Sequence, residues 1–270
     1  MVSDSCVESL KNEFKKHETF EYEWRVTHLN ALHKTLVDHL ENYNEAVMKD
    51  LGRNEGDAYL EFMVVKMNIE YTLKHLKTWM ADKTIDAPVV SAPSKNRIHY
   101  DPLGVVCVLG AWNFPIFTTL NPVVSAIAAG NCCMIKPSES SAASSASIFK
   151  MVKEGMDQRY FRAIEGGPEV GMKLTSMQWD LIAFTGGSEI GKHVAKAAAS
   201  NLVPCVLELG GKNPTIIDES ANIDYAAGKI VNGRYTNCGQ ICLAPDWCIV
   251  HESKVDEFLD RCQHYIRTMF

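Results

Sequence analysis

Apolar side chains recur every three or four positions through residues 1–80, which is the period of helices with one buried face. One such series predicts a single helix whose buried face comprises Leu29, Leu32, Leu36, Leu40 and Tyr43. A second helix is predicted over residues 57–79, and its buried side is expected to comprise Tyr59, Met63, Val64, Met67 and Tyr71. Charged side chains between these positions are assigned to solvated faces. We therefore expect a helical N-terminal segment at residues 1–80.

Short apolar runs alternate with helical stretches between residues 81 and 206. Pro88 and Pro93 interrupt the helical pattern and favour an extended connection over residues 81–98. Strands are predicted at residues 105–109, 132–136, 161–164 and 181–184, and helices at residues 118–129, 142–154 and 190–200. Strands that alternate with helices in this way are typical of a parallel sheet with helices on both faces. The fold class is therefore α/β.

A second unit of alternating elements is predicted from Val206 onward. Its strands are expected at residues 206–209, 215–217 and 248–250, and its helices at residues 223–235 and 255–269. The chain is accordingly divided into the helical segment at 1–80, a parallel-sheet domain at 81–206 and the first part of a further α/β domain at 207–270.

Composition and charge narrow the class of protein. Of the 270 residues, 46% are apolar, and the formal net charge is −6. This charge, without any block of Lys and Arg, argues against a nucleic-acid partner. No apolar run reaches the roughly 18 residues that cross a bilayer, and residues 1–15 lack the apolar core of a secretion signal. Because the nine cysteines then favour reduced thiols, we expect a cytoplasmic protein.

Three polar or glycine-rich segments follow predicted strands, where ligands bind to parallel sheets. They are Gly110-Ala111-Trp112-Asn113-Phe114-Pro115, Lys136-Pro137-Ser138-Glu139 and Phe184-Thr185-Gly186-Gly187-Ser188-Glu189-Ile190-Gly191. The last segment opens a helix whose main-chain N–H groups suit the pyrophosphate of a dinucleotide, and a tight turn is the alternative. It also fits G-x-x-x-x-G-K through Lys192, but His193 stands where a P-loop requires Ser or Thr, which argues against a nucleoside triphosphatase.

A carboxylate and two thiols mark the second unit. Glu208 is placed at the end of a predicted strand, and Cys238 and Cys242 lie in a loop between a helix and a strand. A thiolate attacks a carbonyl carbon, and a carboxylate assists it or activates water for hydrolysis. Asn113 is suited to donate a hydrogen bond to the resulting oxyanion. Cys238 is interpreted as a bystander, and a site on these two thiols would lack two metal ligands, so no metal is expected.

Five short segments are spaced along almost the whole chain. They are Trp112-Asn113-Phe114-Pro115, Lys136-Pro137-Ser138-Glu139, Phe184-Thr185-Gly186, Glu208-Leu209-Gly210-Gly211-Lys212 and Gly239-Gln240-Ile241-Cys242. In order and approximate spacing they resemble the aldehyde dehydrogenase family. Three further segments are most similar to its class 3, fatty-aldehyde branch, namely Asn54-Glu55, Tyr100-Asp101-Pro102-Leu103-Gly104 and Cys242-Leu243-Ala244-Pro245-Asp246.

The resemblance implies oxidation of an aldehyde to a carboxylic acid, with NAD or NADP as the cofactor. By resemblance, Cys242 attacks the aldehyde to form a thiohemiacetal, and loss of hydride to the nicotinamide leaves a thioester. Glu208 then matches the general base for hydrolysis. Asn113 matches the side-chain oxyanion donor, which acts with the main-chain N–H of Cys242.

Cofactor contacts are likewise implied by the resemblance. Lys136 and Glu139 match residues that bind the adenosine ribose, and the charge of Glu139 disfavours a 2′-phosphate. The other expected contacts are Trp112, Gly186, Gly187, Ser188, Gly191 and Leu209. Gly187 stands where the family usually has Ser, so one hydroxyl contact to the pyrophosphate is lost, and Ser188 or main-chain N–H groups are expected to replace it.

Members of the family continue well past the nucleophile, so the resemblance implies an incomplete catalytic domain with an unpaired sheet edge and exposed apolar surface. It also implies an oligomerisation strand near residues 96–104 and a homodimer once the remaining region is supplied. Two functions stay open. One is oxidation of medium- to long-chain or aromatic aldehydes, and the other is a non-catalytic short form that binds a dinucleotide or a partner subunit.

Overall fold

A computed structural model of the chain describes residues 3–91 and 93–270 and begins with four helices. These are α1 (Asp4–Phe14), α2 (Tyr22–Asp38), α3 (Leu40–Leu51) and α4 (Glu55–Trp79). Their buried apolar side chains belong to the same core as those of the sheet that follows. The expected helical N-terminal segment is therefore present.

The prediction of one continuous helix through Leu29 and Tyr43 is wrong. The chain leaves the helical conformation at His39, where φ is −107° and ψ is 6°, so α2 ends and α3 begins. Leu29, Leu32 and Leu36 lie on α2, whereas Leu40 and Tyr43 lie on α3. The apolar spacing continues across the break, which is why periodicity alone did not reveal it.

The face of α4 that was predicted to be buried is also wrong. Tyr59, Val64, Met67 and Tyr71 are 47%, 42%, 59% and 56% exposed, and Met63 is only partly buried. The residues that enter the core are Ala58, Phe62, Val65, Ile69 and Leu76. Helix α4 is apolar on two sides, and both series of residues have helical spacing, so the pattern could not identify the buried side.

Charged side chains between the predicted apolar positions were assigned to solvated faces, and for Glu61 the structure shows the opposite. Arg25, Arg53 and Glu61 are all buried. Arg25 donates hydrogen bonds to the carbonyl oxygens of Thr19, at 3.2 Å, and Ala128, at 2.9 Å. Arg53 and Glu61 form an ion pair in which neither side chain is exposed. These helices are therefore joined to the rest of the unit by polar as well as apolar contacts.

Residues 81–98 were predicted as an extended connection and contain a short antiparallel hairpin. Strand β1 (Lys83–Ile85) pairs with β2 (Asn96–Ile98). The strand expected near residues 96–104 is therefore limited to Asn96–Ile98, because residues 99–104 have no regular secondary structure.

A five-stranded sheet has the strand order β5-β4-β3-β6-β7. Its strands are β3 (Val105–Leu109), β4 (Cys132–Lys136), β5 (Phe161–Ala163), β6 (Leu181–Gly186) and β7 (Cys205–Leu209). Strand β3 is parallel to β4 and β6, and β4 is parallel to β5. Every residue of β3 and β4 is buried, as in sheets with helices on both faces. The predicted α/β class is confirmed.

Four helices accompany this sheet: α5 (Pro115–Ala128), α6 (Ala142–Gly155), α7 (Pro168–Thr175) and α8 (Ser188–Ser200). Helix α7 was not predicted, and it begins with Pro168 directly after Gly167. Helix α5 begins three residues before the predicted start, since a proline is well tolerated in the first turn of a helix.

The chain divides into two units, of which the first ends at Glu208 and the second comprises Leu209–Phe270. In the second unit, β8 (Asn213–Ile217) pairs in parallel with β9 (Pro245–Val250), and the helices are α9 (Ile223–Tyr235) and α10 (Val255–Met269). A small core of its own includes Ile217, Ile223, Ala227 and Phe258. Ile216, Trp247 and Ile249 on its two strands are exposed. In the described residues of either unit, no helix has the length and apolar content needed to cross a membrane.

Two glycines provide a test of the packing in the first unit. A methyl group on Gly110 would lie 2.0 Å from Oγ1 and 3.2 Å from Cα of Thr119. Gly110→Ala is therefore expected to destabilise the fold by about 1–3 kcal/mol, because the backbone of α5 would have to move. Gly171 lies within α7 with open space around it, so Gly171→Ala is expected to stabilise by about 0.5–1 kcal/mol. Urea unfolding measures both, and an unchanged midpoint for Gly110→Ala would contradict the packing.

Candidate active site

Three loops of the five-stranded sheet begin at the carboxyl ends of neighbouring parallel strands. Leu109 at the end of β3 is in register with Lys136 on β4 and with Phe184 on β6. Because these strands are parallel, the loops after β3, β4 and β6 start side by side. The structure therefore brings together the three polar or glycine-rich segments that the sequence singled out.

Lys136, the last residue of β4, has a buried side chain and lies opposite Glu139 of the following loop. Its Nζ atom donates hydrogen bonds to Oε2 of Glu139, at 2.7 Å, and to the carbonyl oxygen of Pro137, at 3.2 Å. Burial acts to raise the pKa of Glu139, but hydrogen bonds from Lys136 and the main chain outweigh it and lower the pKa. Glu139 is therefore an ionised acceptor at neutral pH, and Lys136 is not a solvated surface lysine.

The loop after β6 leads directly into α8, which begins at Ser188. Gly186 lies over the Phe184 ring, whose Cζ atom would be 2.5 Å from an added Cβ atom, so a side chain there would require the ring to move. Gly187, the N-cap residue, has open space around it, and no described side chain caps the helix there. Gly191 is buried on α8 and donates its N–H to the carbonyl oxygen of Gly187 at 2.9 Å. The first turn of α8 thus keeps N–H groups available for an anion.

The loop after β3 carries Trp112 and Asn113. Trp112 is exposed, and Asn113 is partly buried. The N–H of Ala111 donates to Oγ1 of Thr118 at 2.9 Å, and the carbonyl oxygen of Asn113 accepts a hydrogen bond from Arg53. The main chain of this loop is therefore held by one side chain from α5 and one from the turn between α3 and α4.

Glu208 is exposed on β7, at the end of the first unit. Leu209 is the first residue of the second unit and is also exposed. Cys242 belongs to the second unit as well, so its surroundings are described within that unit alone.

Cys242 is exposed, and it follows a tight turn at the end of α9. Asn237, Cys238 and Gly239 have φ values of 53°, 56° and 75°, so three consecutive residues are in the left-handed region. For residues other than glycine this conformation costs roughly 1–2 kcal/mol. The amides of Asn237 and Gln240 offset part of this cost, since each donates to the other residue's carbonyl oxygen, at 3.1 and 3.0 Å.

The main chain of Cys242 is held from the start of β8. The side-chain amide of Asn213 donates to the carbonyl oxygens of Cys242, at 2.7 Å, and Ala244, at 3.1 Å. A Cβ atom on Gly211 would lie 2.7 Å from the Cys242 carbonyl oxygen, so only glycine allows this approach. The position of the thiol-bearing residue therefore depends on Asn213 and Gly211, which sequence reasoning did not identify.

The remaining thiols range from exposed to fully buried, and Cys6, Cys205 and Cys262 are partly buried. Cys238 is exposed, whereas Cys107, Cys132 and Cys133 are fully buried in β3 and β4, as expected for core side chains. Burial raises the pKa of Cys132 to about 12 and raises the pKa of Cys133 well above its usual value. The described residues contain no group of three or more His, Cys, Asp or Glu side chains suited to a metal ion.

Comparison with known proteins identifies relatives over nearly the whole chain. The sequence model of the aldehyde dehydrogenase family matches residues 2–269. Aldehyde dehydrogenase family 3 member I1, chloroplastic, from Arabidopsis thaliana is 37% identical over 266 residues, which are 98% of this chain and 48% of that protein. The dimeric NADP-preferring aldehyde dehydrogenase of Canis lupus familiaris is 34% identical over 265 residues, which are 98% of this chain and 58% of that protein.

A solved structure agrees with this result. The substrate-bound state of Staphylococcus aureus AldH has a TM-score of 0.96 and 35% identity, and the match covers 99% of this chain and 58% of that one. The chain thus spans about half the length of the relatives that it matches.

Thiol alkylation tests the division of the cysteines. Iodoacetamide at pH 8 is expected to modify Cys238 and Cys242 in the native chain well before Cys132 and Cys133, which are buried and protonated. Peptide mass spectrometry over time gives the rate at each thiol. In urea, all four rates should become similar. Equal rates in the native chain would contradict the described burial.

The contacts of Asn213 predict a local effect. Asn213→Ala removes two hydrogen bonds to the loop of Cys242 and is expected to cost about 1 kcal/mol of stability. Amide hydrogen exchange over residues 239–244 should become faster. Asn201→Ala, which removes a hydrogen bond to Ser176 in the first unit, should leave exchange in this loop unchanged. Unaltered exchange in both variants would show that Asn213 does not hold the loop.

Proposed function

The chain belongs to the aldehyde dehydrogenase family, and from this we propose that it carries the nucleophile and cofactor-binding segments of an enzyme that oxidises an aldehyde to a carboxylic acid. The observation that most supports the proposal is the exposed Cys242 on a loop whose main chain is held by Asn213. An accessible thiol in a fixed conformation is what nucleophilic attack on a carbonyl carbon requires.

In the proposed reaction, Cys242 attacks the aldehyde as a thiolate and forms a carbon–sulfur bond. The amide of Asn113 and the main-chain N–H of Cys242 stabilise the oxyanion, and loss of hydride leaves a thioester on Cys242. Glu208 takes a proton from the water that attacks the thioester, which releases the carboxylic acid and restores the thiol. We assign these three residues on family membership, together with their exposed or partly buried positions.

The carboxyl edge of the five-stranded sheet has groups suited to NAD or NADP, which supplies the hydride acceptor when bound. The uncapped first turn of α8, at Gly186, Gly187 and Ser188, suits the pyrophosphate. Ionised Glu139 suits a ribose hydroxyl, and Lys136 neutralises part of its charge. The further contacts proposed are Trp112, Gly191 and Leu209. Gly187 carries no hydroxyl, and we propose that Ser188 or main-chain N–H groups of this turn replace that contact to the pyrophosphate.

The substrate and assembly are proposed by analogy with the relatives. We propose medium- to long-chain or aromatic aldehydes on the resemblance to the fatty-aldehyde branch. We also propose a homodimer once the remaining region is supplied, because one relative is a dimeric, NADP-preferring aldehyde dehydrogenase. A cytoplasmic location rests on the nine free cysteines.

Dinucleotide binding without turnover is the second candidate function. It is favoured by one observation, namely that the sheet edge with its three loops lies in a unit that has its own extensive core. Such a unit is able to bind a dinucleotide whether or not the thiol of the second unit reacts.

Turnover and binding separate these functions. The purified protein with NAD or NADP and a medium-chain aldehyde is expected to form reduced nicotinamide, measured by absorbance. Cys242→Ala should abolish the signal, whereas Cys238→Ala should keep it. Glu208→Gln should keep a first burst of reduced nicotinamide but slow the steady state, because hydrolysis of the thioester is impaired.

The control for an inactive preparation is calorimetry with each dinucleotide. Binding without turnover would favour the second function. Turnover that survives in Cys242→Ala would exclude the proposed nucleophile.

A further inference from the structure

Two helices and the turn between them contribute to a buried polar cluster beside the loop of Asn113. Arg53 precedes α4, Glu61 lies on α4, and Tyr43 lies on α3. Arg53 and Glu61 form an ion pair in which both side chains are fully buried, and the hydroxyl of Tyr43 donates to Oε2 of Glu61 at 3.0 Å. Removing two charges from water is costly, so such a pair is weak evidence for stability by itself. The role of the cluster therefore depends on the other groups to which these three side chains form hydrogen bonds.

Further hydrogen bonds of these three side chains reach the main chain of residues 113–117. Arg53 donates from its second terminal nitrogen to the carbonyl oxygen of Asn113. The N–H of Phe117 donates to Oε1 of Glu61 at 2.9 Å, and the N–H of Ile116 donates to the hydroxyl oxygen of Tyr43 at 3.1 Å. The cluster therefore contacts the Asn113 carbonyl and the first turn of α5 together.

The first turn of α5 needs these acceptors. N–H groups at the start of a helix have no partner within the helix, and the N-cap residue Phe114 provides no side-chain hydrogen bond. The ionised carboxylate of Glu61 supplies a negative group at this positive end of the helix dipole. Arg53 also lies over the ring of Phe114, with 4.6 Å between its Cζ atom and the ring centroid. The chain is thus held on both sides of Phe114.

The hydrogen bonds to Glu61 from Tyr43, Arg53 and the N–H of Phe117 all come from donors, so the cluster requires the carboxylate of Glu61 to be ionised. Burial raises the pKa of Glu61, and Arg53, the N–H of Phe117 and the Tyr43 hydroxyl oppose that shift. Burial, with the nearby carboxylate, raises the pKa of Tyr43 well above its usual value, so its hydroxyl stays protonated and donates to Glu61. Loss of one member leaves the others buried without a full set of partners.

We propose that the buried Arg53–Glu61 pair, with Tyr43, is a positioning device that fixes the main chain of Asn113 and the start of α5. Resting on the proposed function, this means that the pair controls catalysis through Asn113 without contacting substrate. Removing one oxyanion donor typically costs about 10²–10³ in rate. An Asn113 that has lost its main-chain support should lose part of that factor while substrate binding is kept.

The test uses two conservative variants and one matched control. Arg53→Lys keeps the positive charge but loses the forked geometry that reaches both Glu61 and Asn113. Tyr43→Phe removes a single hydroxyl and serves if Arg53→Lys fails to fold. Arg25→Lys is the control, because Arg25 is also a buried arginine bound to carbonyl oxygens, but it contacts the opposite end of α5 through Ala128.

Hydrogen exchange of the Ile116 and Phe117 amides is the first measurement, and it does not depend on activity. Exchange at these amides should become at least about tenfold faster in both variants. Tyr43→Phe removes the acceptor of the Ile116 N–H, and Arg53→Lys displaces Glu61, the acceptor of the Phe117 N–H. In Arg25→Lys exchange should match the unaltered protein. Unchanged exchange in both test variants would overturn the proposal.

Kinetics form the second measurement and separate positioning from a general loss of stability. Arg53→Lys is expected to lower kcat by roughly tenfold or more, with the KM for aldehyde nearly unchanged. In an Asn113→Ala background, the same change should have little further effect, because both act through one group. Additive losses in kcat would overturn the link to Asn113. Absence of turnover in the unaltered protein would refute the proposed function, while amide exchange would still decide the positioning role.

Discussion

The five-stranded sheet imposes the main constraint on this molecule. Its strands β3 and β4 are buried along their whole length, so no polar side chain can be accommodated along them without a partner. Lys136 has such a partner. It is the last residue of β4, and its ammonium group donates a hydrogen bond to Glu139. Polar chemistry in the first unit therefore concentrates where the parallel strands end.

Burial also explains the polar contacts of the N-terminal helices. These helices pack on the sheet through apolar side chains, yet α5 begins inside the same packed region and needs acceptors for its first N–H groups. Tyr43 and Glu61 provide them. A water molecule would serve at an exposed helix end, but a buried end requires side chains from neighbouring helices. The cost of burying the Arg53–Glu61 pair is thereby offset by satisfying the main chain.

Periodicity and motif spacing predicted much of the fold and the three loops that begin side by side at the ends of β3, β4 and β6. The helices at residues 223–235 and 255–269 and the strands at 105–109 and 132–136 have the predicted bounds, since each has a single apolar pattern between clear breaks. The buried face of α4 was mispredicted because two of its faces are apolar. The helix break at His39 was missed because the apolar spacing continues across it.

Positioning residues were missed for a different reason. Asn213 and Arg53 act on carbonyl oxygens that are 29 and 60 positions away in the chain. No local sequence pattern reveals such long-range hydrogen bonds. An Asn or Arg in the sequence does not show whether its side chain donates to water or to a distant main-chain carbonyl. Glu61 offered one local signal, because it lies within a series of buried apolar positions on α4. A charge at such a position requires a buried partner.

In each of the two units, hydrogen bonds to main-chain carbonyl oxygens hold the loop that carries a proposed catalytic residue. In the first, the carbonyl oxygen of Asn113 is held by Arg53, which lies in the turn between α3 and α4. In the second, the loop of Cys242 approaches so closely that Gly211 has no room for a side chain, and Asn213 donates to two of its carbonyl oxygens. In both cases the contacts act on the main chain and leave the thiol exposed and the amide only partly buried. A reactive group that must meet a substrate can be fixed in this way without being covered.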